Sequence, residues 1–247
     1  MHDLHDLDEF EDTLIGRFEE HPVLANITRL PDEDFAALLL QRRFVSLAFT
    51  PSYDLAIDLL GDEEGLRIAR IILREEYPDA YGHSPSHRED MTWDLRRLGV
   101  SREALVASRP TAATKRAIGD TLDLIADAGG HEDADLRLLT VLRFWGEVLV
   151  AVEYGRLWER MEPLLAPGGR IQSRFYHPHH LHDAKTHSLA TVSLLSGTHS
   201  DRLATRVTEL LAREETTGRF KEMEERTLQL KVDFYDQFLP ALDRVAT

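Results

Sequence analysis

The sequence contains no cysteine, and this absence limits its chemistry more than any other feature of its composition. Without cysteine there is no disulfide, no thiolate metal site and no cysteine nucleophile. Any metal ion must therefore be held by histidine, aspartate and glutamate. That ligand set suits iron or manganese.

Basic residues and long apolar runs are also scarce. The 29 Lys and Arg residues face 44 Asp and Glu residues, so the net charge is -15. A surface of this charge without a basic patch opposes binding to nucleic-acid phosphates and to anionic membranes. No stretch approaches the roughly 20 apolar residues of a membrane span, and the acidic segment 1–6 lacks the charge pattern of a secretory signal. The composition predicts a cytoplasmic protein that binds neither nucleic acid nor membrane.

Apolar residues recur with three- and four-residue spacing along most of the chain. This spacing is typical of amphipathic helices, and the two-residue alternation of strands is nearly absent. Pro51 is expected to end the second helix, and the glycine pairs at 129–130 and 168–169 mark linkers. Because the linkers are short, the pattern predicts one all-α domain. The expected helices lie near 7–20, 32–49, 53–60, 63–77, 84–98, 101–108, 111–128, 136–165, 173–196 and 200–245.

The last of these helices carries an apolar stripe with charged residues between its members. Such a stripe is typical of a core-facing helix or of a face buried in a homodimer. Its members are Phe220, Met223, Leu228, Leu230, Val232 and Phe234.

The strongest chemical signal is a run of histidines, five of which lie between Tyr176 and Ser188. If the segment after Pro178 is helical, His180 and His187 lie two turns apart on one face, with Asp183 one turn from each. Helical bundles donate metal ligands in this way. His179 also shares a face with Asp183 and His187, so the register stays open. The alternative interpretation is a solvated, histidine-rich helix start.

A metal ion inside a bundle also needs carboxylates from other helices. Two positions on apolar helix faces offer one, and burying an unpaired charge there would be costly. At each position two residues compete, Glu76 with Glu75 and Glu153 with Glu147. A further imidazole comes from His87, at the start of a helix closed by Gly99, or from His83 in the preceding loop.

These segments resemble the heme-oxygenase-like diiron oxidases and oxygenases, whose helical fold is shared with thiaminase II and pyrroloquinoline quinone synthase. The resemblance covers roughly residues 21 to 195 and implies a heme-oxygenase-like domain over 21–247, preceded by a helical extension over 1–20. It is carried by three motifs: His21-Pro22 with the helix from Phe35; Glu75-Glu76-Tyr77 with His87 and Leu98-Gly99; and His180, His182, His187 and Ser188.

The resemblance also implies a metal centre and a reaction. The iron ligands would be Glu76, His87, Glu153, His180 and His187. The family's aspartate falls on Ala184, and the adjacent Asp183 is taken as its substitute. The cofactors would be two Fe(II) ions with O2 as co-substrate. The reaction would oxidise a small organic, amino-acid-like substrate, by N-oxygenation or by cleavage of a carbon–carbon bond.

Two other functions compete with the iron enzyme. One is a metal-free enzyme of the same fold that acts on a thiamin-like or quinone-precursor heterocycle, although the chain lacks a thiaminase cysteine. The other is a non-enzymatic helical protein that binds a partner through its acidic surface. In the iron enzyme, Arg42, Arg43 or Arg143 would pair with a substrate carboxylate, unless these side chains reach solvent instead.

Overall fold

The structure is a computed structural model that describes residues 4–193, 197–213 and 217–244. Over these ranges it contains helices and connecting segments, with no strand. The helices are α1 (Leu4–Glu19), α2 (Pro22–Ala25), α3 (Asp32–Leu47), α4 (Phe49–Leu59), α5 (Glu63–Glu75), α6 (His87–Arg97), α7 (Arg102–Ala107), α8 (Ala112–Gly129), α9 (Ala134–Arg143), α10 (Leu149–Leu165), α11 (Tyr176–His182), α12 (His199–Leu211), α13 (Gly218–Asp236) and α14 (Leu239–Asp243).

Local sequence fixes where several helices begin. The Asp62 side chain accepts a hydrogen bond from the Gly65 amide and caps α5. Ser86 and Glu89 form a reciprocal capping box at the start of α6, which places His87 at the first helical position. Thr198 caps α12 through the Asp201 amide and places His199 at the corresponding position there.

The centre of the molecule is a continuous helical rod from α9 to α10, joined by the π-helical segment Phe144–Val148. Every residue of this segment is buried, because α9 packs against α8, α12 and α13 while α10 packs against α1 and α11. A π turn adds one residue to a helix and changes which side chains face a given neighbour. Glu147 lies in this segment and Glu153 lies in α10, and the two carboxylates have different surroundings.

Helix α1 shares the core with the rest of the chain. It buries Leu7, Leu14 and Phe18 and packs against α10 and α13. Its Glu11, which is fully buried, forms an ion pair with Arg143 of α9. Residues 4–19 are therefore integrated into the single helical domain.

Three helix predictions differ from the structure. Pro51 lies in the first turn of α4, where a missing amide hydrogen is tolerated, and does not end α3. The helix expected over 200–245 is divided into α12, α13 and α14. The helix expected over 173–196 is seen at Tyr176–His182 and not in the rest of 173–193; residues 194–196 lie outside the described residues. The helix ends at His182 because the amides of Thr186 and His187 donate to the Asp201 carboxylate instead of to helical carbonyls.

Among the described residues, no helix is long and apolar enough to cross a membrane.

Candidate metal centre

A cavity of about 450 Å³ lies between the helices and has a wall of imidazoles and carboxylates. This volume is typical of small-molecule sites. The side chains of that wall come from the end of α5, from α6, from the π segment and from the region of α11 and α12. They are Glu76, His87, Glu147, His179, His182, Asp183 and His199.

Glu76, His87 and His179 form the first potential metal-binding group, with one donor atom of each within 4.8 Å of the others. His87 Nδ1 lies 2.9 Å from Glu76 Oε1. His179 Nδ1 lies 2.7 Å from the carbonyl oxygen of Phe175, so Nδ1 carries the proton and donates it there. Burial lowers the pKa of His179 to about 3 and keeps the ring neutral. A backbone carbonyl on one ring nitrogen commonly leaves the other free to ligate a metal ion.

His182, Asp183 and His199 form the second group, also with donor atoms within 4.8 Å of one another. Asp183 Oδ1 lies 2.5 Å from His182 Nδ1 and 3.3 Å from His199 Nδ1. Burial raises the pKa of Asp183, but the hydrogen bonds from both imidazoles outweigh burial and hold it below its usual value. Asp183 is therefore ionised and suited to bind a cation.

Glu147 extends the second group from the π segment. Its Oε2 lies 3.3 Å from His199 Nδ1, and the hydroxyl of Tyr53 donates a hydrogen bond to its Oε1. Burial and the Asp183 carboxylate raise the pKa of Glu147 to about 7. Burial lowers the pKa of His199, but hydrogen bonds to Asp183 and Glu147 raise it to about 11. A protonated imidazole thus lies between two carboxylates, an environment that also favours a metal cation.

The two groups adjoin one another through a chain of rings. The ring centroids are 4.5 Å apart for His87 and His179, 4.7 Å for His179 and His182, and 5.0 Å for His182 and His199. Glu75 reaches the same place, with Oε2 at 3.2 Å from His199 Nε2. Imidazole nitrogens and carboxylate oxygens without sulfur fit divalent iron or manganese. The residues present therefore fit a centre of one or two such ions.

Three of the residues predicted as ligands from the sequence lie in this cluster: Glu76, His87 and Asp183. The structure does not place Glu153, His180 or His187 with them. Glu153 is fully buried in a separate network with Arg42, Lys231 and Tyr235.

The two late histidines predicted as ligands also have other partners. His180 Nδ1 lies 2.9 Å from the Ala151 carbonyl oxygen. His187 is on the exposed side of its loop, with Nδ1 2.6 Å from Asp201 Oδ2.

The physical reason is the register and length of α11. Each residue turns a helix by about 100°, so His179 faces the cavity and its neighbour His180 does not. Because α11 ends at His182, the two-turn spacing to His187 does not apply. Asp183 lies one helical turn after His179, whereas the position that follows Asp183 by three residues is Thr186 and offers no imidazole. The structure brings His199 to Asp183 instead.

The sequence predictions lack His199, which lines the cavity, and Tyr53, which donates a hydrogen bond to Glu147. His199 lies 12 residues after His187 and Tyr53 lies 23 residues before Glu76, and no spacing within one helix connects either residue to the predicted ligands. The one available signal was the position of His199 at the start of a helix, as for His87. Glu147, which the sequence left as an alternative to Glu153, lies in the cavity wall.

No protein-family model matches the chain, and a search of curated proteins found no match. Solved structures do match over nearly the whole chain. A CADD-like protein of unknown function from Nostoc punctiforme has a TM-score of 0.63 at 13% identity, covering 97% of this chain and 98% of that one.

Two proteins described with the TenA name also match. A TenA family transcription regulator from Silicibacter sp. has a TM-score of 0.57 at 14% identity, with 96% of each chain covered. A TenA homologue from P. horikoshii has a TM-score of 0.58 at 14% identity, covering 96% of this chain and 99% of that one. At these identities the likeness shows the fold alone. The chain therefore has the single-domain, heme-oxygenase-like helical fold of the TenA and CADD-like proteins.

Proposed function

We propose that this protein binds two Fe(II) ions in the cavity and uses O2 to oxidise a small organic molecule. The observation that carries the proposal is the pair of adjacent groups, Glu76–His87–His179 and His182–Asp183–His199, on one wall of a small-molecule-sized cavity. Ferrous iron held by imidazole and carboxylate, with open coordination positions, supplies O2 reduction and substrate oxidation.

The remaining residues of the cavity orient the ligands and exclude water. The Phe175 carbonyl fixes the ring of His179, and the Tyr53 hydroxyl fixes the carboxylate of Glu147. Trp145, Phe49 and Phe175 form part of the cavity wall. Such apolar walls keep bulk water from a reactive centre and strengthen electrostatic interactions inside it.

Iron binding by matched histidine variants tests the proposal. Protein loaded with Fe(II) without oxygen and then desalted is expected to retain about two ions per chain, as expected for two filled ligand groups. His179→Gln removes a cavity-facing imidazole and should lose at least half of that iron. His180→Gln is the matched control, because it changes the adjacent histidine, which bonds to Ala151, and should lose none. Circular dichroism checks that both variants remain folded.

Iron retention and O2 consumption together decide whether the cavity is an iron site. Absence of stoichiometric iron in the parent protein, or equal losses in the two variants, would overturn the proposal. Retained iron should be accompanied by O2 consumption when the ferrous protein meets air, and that consumption should fall in His179→Gln but not in His180→Gln.

A metal-free enzyme of the same fold is the second candidate. It is favoured by the contacts of His199 with Asp183 and Glu147, because these groups have polar partners in one another without a metal ion. Structures described as TenA proteins share the fold. Because the chain has no cysteine, a nucleophile in this cavity would have to be another side chain, such as the Glu147 carboxylate. Turnover of a thiamin-like heterocycle by chelator-treated protein would favour this candidate, whereas turnover that requires added iron would exclude it.

A further inference from the structure

We propose that Lys231 and Arg42 bind the carboxylate of an organic acid inside the cavity. Both side chains line the same cavity as the imidazoles and carboxylates of the metal centre. The inference names the substrate class of the proposed oxidation and rests on that function only for what happens to the acid after it binds.

The charges around Lys231 and Arg42 are unbalanced. Lys231 of α13 and Arg42 of α3 are each 3% exposed, and the carboxylate between them, Glu153, is fully buried. Glu153 accepts hydrogen bonds from Arg42 Nε, from Lys231 Nζ at 3.2 Å and from Tyr235 Oη at 2.6 Å. Two cations and one anion leave a net positive charge in this buried place. A buried charge without a partner is costly, so the network is suited to receive one further anion.

Lys231 and Arg42 also have hydrogen-bond donors without a partner among the described residues. An ammonium group has three N–H donors, and within the described parts of the chain Lys231 makes a single hydrogen bond. Its remaining contact is with the ring of Trp145, whose centroid lies 5.5 Å from Nζ. Arg42 uses Nε for Glu153 and Nη1 for Ser46 Oγ at 2.8 Å. An ammonium and a guanidinium with donors to spare at a cavity surface match the two oxygens of a carboxylate.

The cavity can also hold the apolar part of an organic acid. The same cavity is also lined by apolar side chains, from Val45, Phe49, Ile72, Met91, Trp145 and Val150. An organic acid with an apolar body would bury that body against these side chains and its carboxylate against Lys231. Free phosphate has no apolar body and gains nothing from them. The structure therefore favours an organic carboxylate over an inorganic anion.

Calorimetric titration of the full chain after chelator treatment tests the subsite without interference from iron. Hexanoate is the probe, with hexanamide, hexylamine and inorganic phosphate as comparisons of charge and shape. We expect saturable binding of hexanoate, and binding at least about tenfold weaker for the other three, because each lacks either the charge or the apolar body.

A matched pair of lysine variants locates the bound acid. Lys231→Met removes the ammonium but keeps the length of the side chain, and Glu153 keeps its bonds to Arg42 and Tyr235. It should weaken hexanoate by about tenfold or more. Lys221→Met is the control on the same helix, since Lys221 lies over Phe10 and outside the cavity wall, and it should leave the affinity unchanged.

Several results would overturn the subsite: no saturable hexanoate binding, equal affinity for hexanoate and hexanamide, or equal effects of the two lysine substitutions. The comparison of ligands needs only the parent protein, so it decides the matter even if Lys231→Met does not fold. Hexanoate binding without any iron binding would leave the subsite standing and refute the metal centre, whereas iron binding without hexanoate binding would do the reverse.

Discussion

Replacing Glu153 with glutamine separates a structural role from a metal-binding role at this position. The sequence predicts Glu153 as an iron ligand, whereas the structure surrounds it with Arg42, Lys231 and Tyr235. Glu153→Gln keeps the shape of the side chain and removes its charge. The account predicts a less stable protein with an unchanged iron content.

The magnitude follows from the contacts. Removing one partner of a buried ion pair typically costs 3–5 kcal/mol because the opposite charge is left unpaired. Two features reduce the cost here. The glutamine oxygen can still accept a hydrogen bond from Tyr235 or Arg42. Burial already lowers the pKa of Lys231 to about 8, so Lys231 can release its proton once the carboxylate is gone. We therefore expect a loss of about 3 kcal/mol in the free energy of unfolding.

Urea denaturation of parent and variant, followed by circular dichroism, measures that loss, and iron analysis of the loaded proteins measures occupancy. The double variant Glu153→Gln with Lys231→Met should recover about 1 kcal/mol relative to Glu153→Gln alone, because one unpaired cation is removed. A loss of stability below about 1 kcal/mol, or a loss of iron in Glu153→Gln, would refute the reasoning.

Three further predictions concern residues outside the ligand set. Asp94→Ala should cost about 2–4 kcal/mol in urea denaturation and lower the iron content, because Asp94 accepts hydrogen bonds from the amides of Arg174, Phe175 and Tyr176 at the start of α11. Gly155→Ala should lower the free energy of unfolding by about 1–3 kcal/mol, because its new methyl group would lie 2.8 Å from the His180 ring. The control is Gly119→Ala in α8, where the methyl group meets nothing within 4 Å and should stabilise the protein slightly. Glu224→Gln should stabilise the protein at pH 7 but not at pH 4, as judged by denaturation at both pH values. Burial and the nearby Glu11 raise the pKa of Glu224 well above 4.5, so the folded state keeps a proton that the unfolded state releases. The free energy of unfolding of the parent protein therefore falls by at most about 1.4 kcal/mol per pH unit above pH 4.5.

The sequence predicted the helices and the Glu76–His87 pair, which depend on residues close together in the chain. The apolar periodicity predicted the all-α fold, and the expected position of His87 at the start of a helix agrees with the structure. Glu76 and His87 lie eleven residues apart across one short loop, so the sequence could bring them together.

The rest of the candidate centre depends on contacts that no local pattern records. The helix that carries His179 ends early because Asp201, from a later helix, binds the amides of Thr186 and His187. Glu147 lies in a π turn inside a buried rod, and regular 3.6-residue periodicity does not predict such a turn. His199 reaches Asp183 only through the packing of α12, so its place in the cavity required the tertiary structure.

The central claim is that iron is held between the two groups of imidazoles and carboxylates. A crystal structure of the anaerobically Fe(II)-loaded protein, with anomalous diffraction measured at the iron absorption edge, tests it most directly. The account predicts two anomalous peaks, one among Glu76, His87 and His179 and one among His182, Asp183 and His199. Peaks at His180, His187 or Glu153, or no peak in the cavity at all, would contradict it.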